Sequence, residues 1–211
     1  MSRYTLVYFD IPGNRGEEIR LALHLAGQEF TDVRLKGTPA FARFKPKAPF
    51  GAVPFLDVEG LGTLGETTAI LCYLGRTHGL HPTDPWQAAR HEALMSATAD
   101  VHTRIGFSMH TDDAAEKQRL REDLAADTLP AWARAVEAQL GTGPFVAGDR
   151  PNVVDIRLYM TTSWIRRGVL DHIAKDLFAP FPKLNALTDA VAAHPRVVDW
   201  KSRPTAPPVL A

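Results

Sequence analysis

The order of its strand-forming and helix-forming segments is the feature that most limits how this chain can fold. Aromatic and β-branched residues predict strands from Tyr4 to Phe9 and from Phe30 to Leu35, and a helix from Gly16 to Gly27 lies between them. A strand-helix-strand unit of this spacing makes a right-handed parallel crossover. After a breaker-rich linker from His78 to Pro85, strand patterns almost disappear. An α/β region followed by helices alone indicates two domains.

The rest of the first region completes a small sheet. A basic, Pro-flanked segment from Thr38 to Lys47 predicts a short irregular helix. Segments from Val53 to Val58 and from Gly62 to Leu64 predict an antiparallel hairpin, and a helix begins near Thr68. The predicted fold is a thioredoxin-like α/β domain of residues 1–80, a linker of residues 81–85 and an all-α domain of residues 86–211.

The second region contains helix-forming patterns only. Asn152 and Asp155 have the spacing of a capping box, and Pro130 predicts a break or kink within one of the helices. The predicted helices run from Trp86 to Phe107, Glu116 to Leu140, Asn152 to Gly168, Phe181 to His194 and Val197 to Ser202.

Composition excludes several classes of function. The 211 residues are 45% hydrophobic and carry 24 basic and 24 acidic side chains, so no basic field favours nucleic acid. The single cysteine, Cys72, excludes a disulfide within the chain, and no histidine has zinc-site spacing, so we expect no metal. No apolar run approaches the roughly 18 residues of a membrane span, and the first residues predict a strand and not a leader. We therefore expect a cytoplasmic protein without a membrane partner.

The segment from Pro49 to Ile70 has the features of a peptide-binding surface. Pro54 follows Val53 at a strand entrance, where a cis bond would leave the Val53 backbone free to pair with an extended peptide. Glu66 and Thr67 precede a helix whose free N–H groups and positive dipole favour a carboxylate. The same two residues are also explained by a plain helix cap.

Several motifs together resemble one family. They are Y-T-L-V-Y-F-D at the start, F-K-P-K-A-P-F-G-A-V-P-F-L-D-V-E-G, E-T-T-A-I-L-C-Y-L and G-D-R-P-N-V-V-D-I-R-L. The ending F-P-K-L-N-A-L…V-A-A-H-P-R-V-V-D-W also fits, so the resemblance covers nearly the whole chain. The chain resembles the cytosolic glutathione transferases, and among them the sigma class, which includes haematopoietic prostaglandin D synthase.

The resemblance implies that the chain activates a thiol, with glutathione as co-substrate. Tyr8 matches the family tyrosine that donates a hydrogen bond to the glutathione sulfur and favours the thiolate. A strand tyrosine packed in the core is the alternative, because Tyr4, Leu6 and Tyr8 share one face of the strand. Phe9 would lie near the site. Arg15 would donate a hydrogen bond to the sulfur or place its positive charge beside it. A solvated surface arginine is the alternative.

The resemblance also implies how the tripeptide is held. Phe41 and Lys45 match positions near the glycine end, where Lys45 would pair with the carboxylate and Phe41 replaces a frequent tryptophan. Ala52 would offer only backbone, and Val53 would pair with the peptide beside Pro54. Glu66 would accept from the γ-glutamyl ammonium, and Thr67 would donate to the γ-glutamyl carboxylate. A solvated basic loop is the alternative for Lys45.

The helical domain would add the remaining contacts. Asp100 resembles the acid that reaches the neighbouring subunit's site, which implies a homodimer, although a surface acid is the alternative. The electrophile pocket would include Arg104, Phe107, Met109 and His110.

The resemblance implies conjugation of glutathione to small hydrophobic electrophiles, a detoxification reaction. A structural or ligand-carrier protein without catalysis, and a glutathione-dependent isomerase or peroxidase, are the alternatives.

Overall fold

The computed structural model describes residues 3–203, so residues 1–2 and 204–211 lie outside the described part. The described chain divides into two compact units, residues 3–81 with 194–203 and residues 82–193. The boundary after His81 falls inside the predicted linker. The last helix, which the sequence-based division assigned to the helical domain, groups instead with the first unit. The physical reason is that Trp200 and Asp199 bond to side chains of that unit's first helix.

The first unit has the predicted order of strands and helices. Its elements are β1 (Tyr4–Phe9), α1 (Arg15–Leu25), β2 (Phe30–Leu35), α2 (Gly37–Phe44), a 3-10 turn (Lys45–Lys47), β3 (Phe55–Val58), β4 (Gly62–Gly65), α3 (Thr67–His78) and, from the end of the chain, α9 (Pro195–Ser202).

The four strands form one mixed sheet in the order β2-β1-β3-β4. β1 pairs with β2 in parallel, and β3 pairs antiparallel with both β1 and β4. The central strand β1 is buried on both faces: Leu6 is fully buried, and Val7 packs with Val33, Phe55 and Ala40 of α2. This arrangement confirms the predicted thioredoxin-like sheet.

The entrance to β3 has the predicted cis bond between Val53 and Pro54. Pro54 is buried and Val53 is half-buried. Within residues 3–203, the Val53 N–H and C=O take no backbone partner outside the regular elements, and Val53 lies outside those elements. The pairing of these groups with an extended peptide stays a prediction.

The second unit consists of helices. They are α4 (Pro85–Met109), α5 (Ala114–Asp123), a π-helical turn (Leu124–Thr128), α6 (Leu129–Glu137), α7 (Val153–Arg166) and α8 (Pro182–Ala193). None of the helices within residues 3–203 has both the length and the apolar character that crossing a membrane requires.

The interruption predicted at Pro130 takes the form of the π-helical turn. Proline has no N–H and its ring clashes with the carbonyl four residues earlier, so an ordinary α-helix cannot pass through it unchanged. Here the Leu129 N–H bonds to the Leu124 carbonyl, five residues back. The widened turn lets the chain stay helical from Ala114 to Glu137, so the predicted break is a local change of helix type.

The predicted capping box at the start of α7 is confirmed. Asp155 is fully buried, and its carboxylate accepts the N–H groups of Asn152 at 2.7 Å and Val146 at 2.8 Å. Burial raises the pKa of Asp155 to about 7, against the opposing effect of these N–H bonds. The side chain thereby joins the loop before α7 to the first turn of the helix.

Candidate functional site

Tyr8 lies near the end of β1 with its ring packed beneath the start of α1. The side chain is only 5% exposed. A Cβ atom at Gly16 would overlap the Tyr8 ring, so only glycine permits this close approach of helix and ring. The alternative of a core tyrosine therefore holds for the ring, and the hydroxyl decides whether Tyr8 has a chemical role.

The Tyr8 hydroxyl keeps its proton under ordinary conditions. Burial raises the pKa of Tyr8 to about 12, with a smaller rise from Glu18 and opposing effects of Arg15 and Arg20. Within residues 3–203, no group forms a hydrogen bond with this hydroxyl. At neutral pH Tyr8 is therefore a neutral phenol with an unused O–H donor, which is the state that can stabilise an adjacent anion.

Arg15 is the first residue of α1 and is half-buried. Its N–H bonds to Asn14 Oδ1 at 2.7 Å, which fixes the start of the helix. Its positive charge is the largest of the effects that lower the pKa of Tyr8. This electrostatic coupling favours the interpretation of Arg15 as a field source beside the phenol over that of a solvated surface arginine.

Aromatic side chains form a wall next to Tyr8. The Phe9 ring meets the Tyr8 ring edge-on at 5.8 Å and the Phe41 ring edge-on at 6.1 Å between centroids. Phe9, Phe41 and Val53 also pack on the same buried cluster, which includes Val7. The structure thus brings together the phenol, two predicted aromatic neighbours and the residue whose backbone was predicted to bind a peptide.

The loop that leads into β3 lies between Lys45 and the end of β4. Lys45 is exposed, and its Cε lies 3.9 Å from the position of a Cβ at Gly51. Ala52, also exposed, follows directly. On the other side the Phe50 ring packs on Gly65, where an added Cβ would come within 2.9 Å of it. An exposed cation and the last residue of β4 therefore flank the loop.

Glu66 has a backbone conformation that side-chain-bearing residues rarely adopt. Its φ is 67° and its ψ is 117°, a conformation that costs about 1–3 kcal/mol and that is concentrated at functional sites. α3 begins at the next residue, Thr67, and Glu66 makes no side-chain hydrogen bond to the helix N-terminus. The plain-cap alternative is therefore not supported, and the first-turn N–H groups remain available beside the buried Thr67.

The other five predicted residues lie in the second unit, four of them on α4 and His110 directly after its end. Asp100, Arg104 and Phe107 follow each other at helical spacing and are exposed, whereas the face with Val101, His102 and Ile105 is buried. Phe107 is 63% exposed and Met109 is 47% exposed. Arg104 donates to Thr128 Oγ1 at 3.4 Å, and His110 Nδ1 lies 2.6 Å from the Gly106 carbonyl oxygen. Asp100, Arg104 and Phe107 therefore share one exposed face of α4, whereas Met109 points to another side at the helix end.

Comparison with known proteins agrees with this geometry. Residues 9–83 match the glutathione S-transferase N-terminal domain, and residues 99–204, half of the chain, match the C-terminal domain of the same family. The chain belongs to the glutathione S-transferase family. The resemblance read from the motifs is thereby confirmed.

Relatives in this family carry different names. A probable glutathione S-transferase gst-36 of Caenorhabditis elegans is 29% identical over 99% of this chain and 100% of its own length. Hematopoietic prostaglandin D synthase of Gallus gallus is 29% identical over 95% of this chain and 96% of its own. S-crystallin 2 of Enteroctopus dofleini is 27% identical over 92% and 93%.

A solved structure shows the same fold. Prostaglandin synthase D of Nilaparvata lugens superimposes with a TM-score of 0.82 at 25% identity, covering 96% of this chain and 99% of that one. The sequence-based likeness to the sigma class agrees with these prostaglandin synthase matches.

Three residues around the Tyr8 phenol were not predicted from the sequence. Gly16 permits the ring contact, and Glu18 and Arg20 are fully buried on the same helix and affect the pKa of Tyr8. A glycine in the first turn of a helix was an available signal, because it costs stability there unless something packs closely. Nothing in the sequence indicated that Glu18 and Arg20 are buried, since E-E-I-R at a helix start is typical of a solvated face.

Proposed function

We propose that this chain is a glutathione transferase that conjugates the glutathione thiolate to small hydrophobic electrophiles. The observation that carries the proposal is the Tyr8 hydroxyl: a neutral phenol donor beside the charge of Arg15, in a fold whose family uses glutathione. A thiol of ordinary acidity has a pKa near 8.5, so little of it is nucleophilic at neutral pH. A donor to sulfur lowers this pKa, because it stabilises the charged form.

The surface of the first unit fits the two charged ends of the tripeptide. Lys45 supplies a free cation for the glycine carboxylate. The uncapped start of α3, with Thr67, supplies N–H and hydroxyl donors for the γ-glutamyl carboxylate, and the exposed Glu66 carboxylate suits the ammonium. The free backbone groups of Val53 pair with the peptide between these ends.

Sulfur then attacks the electrophile and its lone pair forms the new S–C bond. In a substitution the leaving group departs with its bonding pair, and in an addition the π pair moves onto the electron-withdrawing group and takes a proton from water. We propose that the exposed Phe107 and Met109, with Arg104 and His110, contact this second substrate. We also propose that the protein is a homodimer in which the exposed Asp100 binds the γ-glutamyl ammonium held by the partner subunit. The proposed reaction is a detoxification in the cytoplasm.

Replacing Thr67 by Val tests the anion site. The substitution removes one hydroxyl and keeps the shape, so glutathione affinity should fall about 10- to 100-fold, the usual loss for a hydrogen bond to a charged group. Thr67→Ser keeps the hydroxyl and should bind within about threefold of the wild type. The measurement is isothermal titration with glutathione. Equal affinity for all three proteins would remove Thr67 from the site.

The named relatives keep two alternatives open. The prostaglandin D synthase relative favours a glutathione-dependent isomerase, and the S-crystallin relative favours a structural protein that does not catalyse. Turnover of a chloro-nitro-aromatic with glutathione separates a transferase from both alternatives, because a transferase should consume both substrates. A chain that binds glutathione with a depressed thiol pKa but turns over only an isomerisable peroxide would be an isomerase. A chain that does not bind glutathione would be neither a transferase nor a glutathione-dependent isomerase.

A further inference from the structure

The last helix of the chain contacts the start of the first helix, 183 residues away in sequence. The Trp200 indole N–H donates to the Glu17 carboxylate with 2.5 Å between Nε1 and Oε1. The indole ring also lies 5.4 Å from His24 and 6.0 Å from Phe30, centroid to centroid. Glu17 is in the first turn of α1, so α9 is bonded directly to the part of α1 that begins with Arg15.

Glu17 is one end of a row of ion-paired side chains of alternating charge, which we call the charge ladder. Its members are Glu17, Arg20, Asp32, Arg34 and Asp10. Arg20 donates to Glu17 at 3.3 Å and, through Nε, to both carboxylate oxygens of Asp32 at 3.1 and 3.0 Å. Asp32 also accepts from Arg34 at 2.7 Å, and Arg34 donates to Asp10 at 3.2 Å. The Arg20 side chain is fully buried. Buried ion pairs depend on every partner being in place, so displacing one member disturbs the others.

Both ends of the ladder border Tyr8. Asp10 follows it by two residues along the chain, and Glu17 is the neighbour of Gly16, whose backbone touches the Tyr8 ring. Arg20, in the middle of the ladder, is close enough that its charge lowers the pKa of Tyr8. The ladder therefore holds the two chain segments that position the phenol, β1 on one side and the first turn of α1 on the other.

We propose that Trp200 is a positioning residue of the thiol site: its N–H bond to Glu17 holds the charge ladder and the first turn of α1 against Tyr8. The last helix thereby sets how strongly the phenol stabilises the glutathione thiolate. The inference rests on the proposed function, since it concerns the same phenol. It adds a residue of the last helix, 183 positions from Glu17 in sequence, to the groups that control thiol acidity.

Trp200→Phe tests this inference, because it keeps an aromatic ring beside His24 and Phe30 and removes the N–H donor together with the second ring, so the packing loss is followed separately by the thermal melt. We expect the thiolate fraction of bound glutathione at pH 6.5 to fall about three- to tenfold, the usual effect of one hydrogen bond. Glu17→Gln weakens the same bond and the pair with Arg20, and should have the same effect. Val198→Ala, an exposed position on the same helix, is the matched control.

The measurement is the ultraviolet absorbance of the thiolate over pH, in the full chain saturated with glutathione, together with a thermal melt of each protein. A purely structural bond would lower the melting temperature and leave the bound thiol pKa as in the wild type, and that result in both Trp200→Phe and Glu17→Gln overturns the inference. If Trp200→Phe fails to fold, Glu17→Gln decides. A wild type whose bound thiol pKa is not depressed overturns the proposed function as well, so the two failures are distinguishable.

Discussion

Tyr8→Phe is expected to raise the pKa of the bound glutathione thiol by about two units and to lower kcat/KM at pH 6.5 by up to about 100-fold. Two units correspond to about 2.7 kcal/mol of preferential stabilisation of the thiolate. The effect should be this large because the hydroxyl is a neutral donor in a buried setting, where a hydrogen bond to an anion is strong. Glutathione affinity near pH 9, where the thiol ionises without help, should change much less.

Tyr4→Phe is the matched control. Tyr4 lies on the same face of β1 and is fully buried, but its hydroxyl is 2.9 Å from His78 Nε2. Its loss should lower stability by about 1 kcal/mol and leave the thiol pKa unchanged. The readouts are the thiolate absorbance from pH 5 to 10 and the pH profile of kcat/KM. An identical thiol pKa in the wild type and in Tyr8→Phe would refute the mechanism.

Burial of Tyr8 also predicts the alkaline limb of the pH profile. Because burial raises the pKa of Tyr8 to about 12, the phenol should keep its proton throughout the range from pH 5 to 10. The rate should therefore rise with thiol ionisation and then stay level. A fall in kcat/KM between pH 8 and 10 in the intact protein would indicate that Tyr8 ionises and cannot be the donor.

Asp155→Ala is expected to lower the free energy of unfolding of the helical unit by about 2–5 kcal/mol. The substitution removes the acceptor of two backbone N–H groups and leaves both unpaired, that of Val146 half-buried and that of Asn152 buried. Asp155→Asn keeps one acceptor oxygen and should lose less.

Urea unfolding followed by circular dichroism measures this loss. Asp149→Ala is the matched control, because Asp149 is exposed in the same loop, and it should change stability by less than about 0.5 kcal/mol. A loss below about 1 kcal/mol for Asp155→Ala would mean that the two N–H groups find water or another acceptor.

Elements with strong local patterns could be predicted from the sequence. The aromatic and β-branched residues of Tyr4–Phe9 and the glycine after α1 located the first strand and helix, and a proline after Val53 at a strand entrance predicted the cis bond. The spacing of Asn152 and Asp155 predicted the cap of α7. Each of these features depends on a few adjacent residues.

Features that depend on residues far apart could not be predicted. Nothing near Arg20 indicates that its guanidinium is fully buried against Asp32, because that pairing exists only once β2 lies beside α1. The same holds for Trp200, which lies at the far end of the chain from Glu17. The grouping of the last helix with the first unit was not predictable for the same reason: amphipathic spacing shows which face of a helix is buried, and not which partner buries it.

The π-helical turn before Pro130 also determines what a deletion would do. Each α-helical residue turns the chain by about 100°, and the π turn holds one residue more than an α-helical path needs. Removing Ala126 would therefore turn the bond between Leu129 and Leu124 into an ordinary α-helical one and leave Trp132 and Val136 facing inward. The same deletion would bring the Pro130 ring against the Ala125 carbonyl, then four residues back, so the extra residue is what gives the proline room inside a continuous helix.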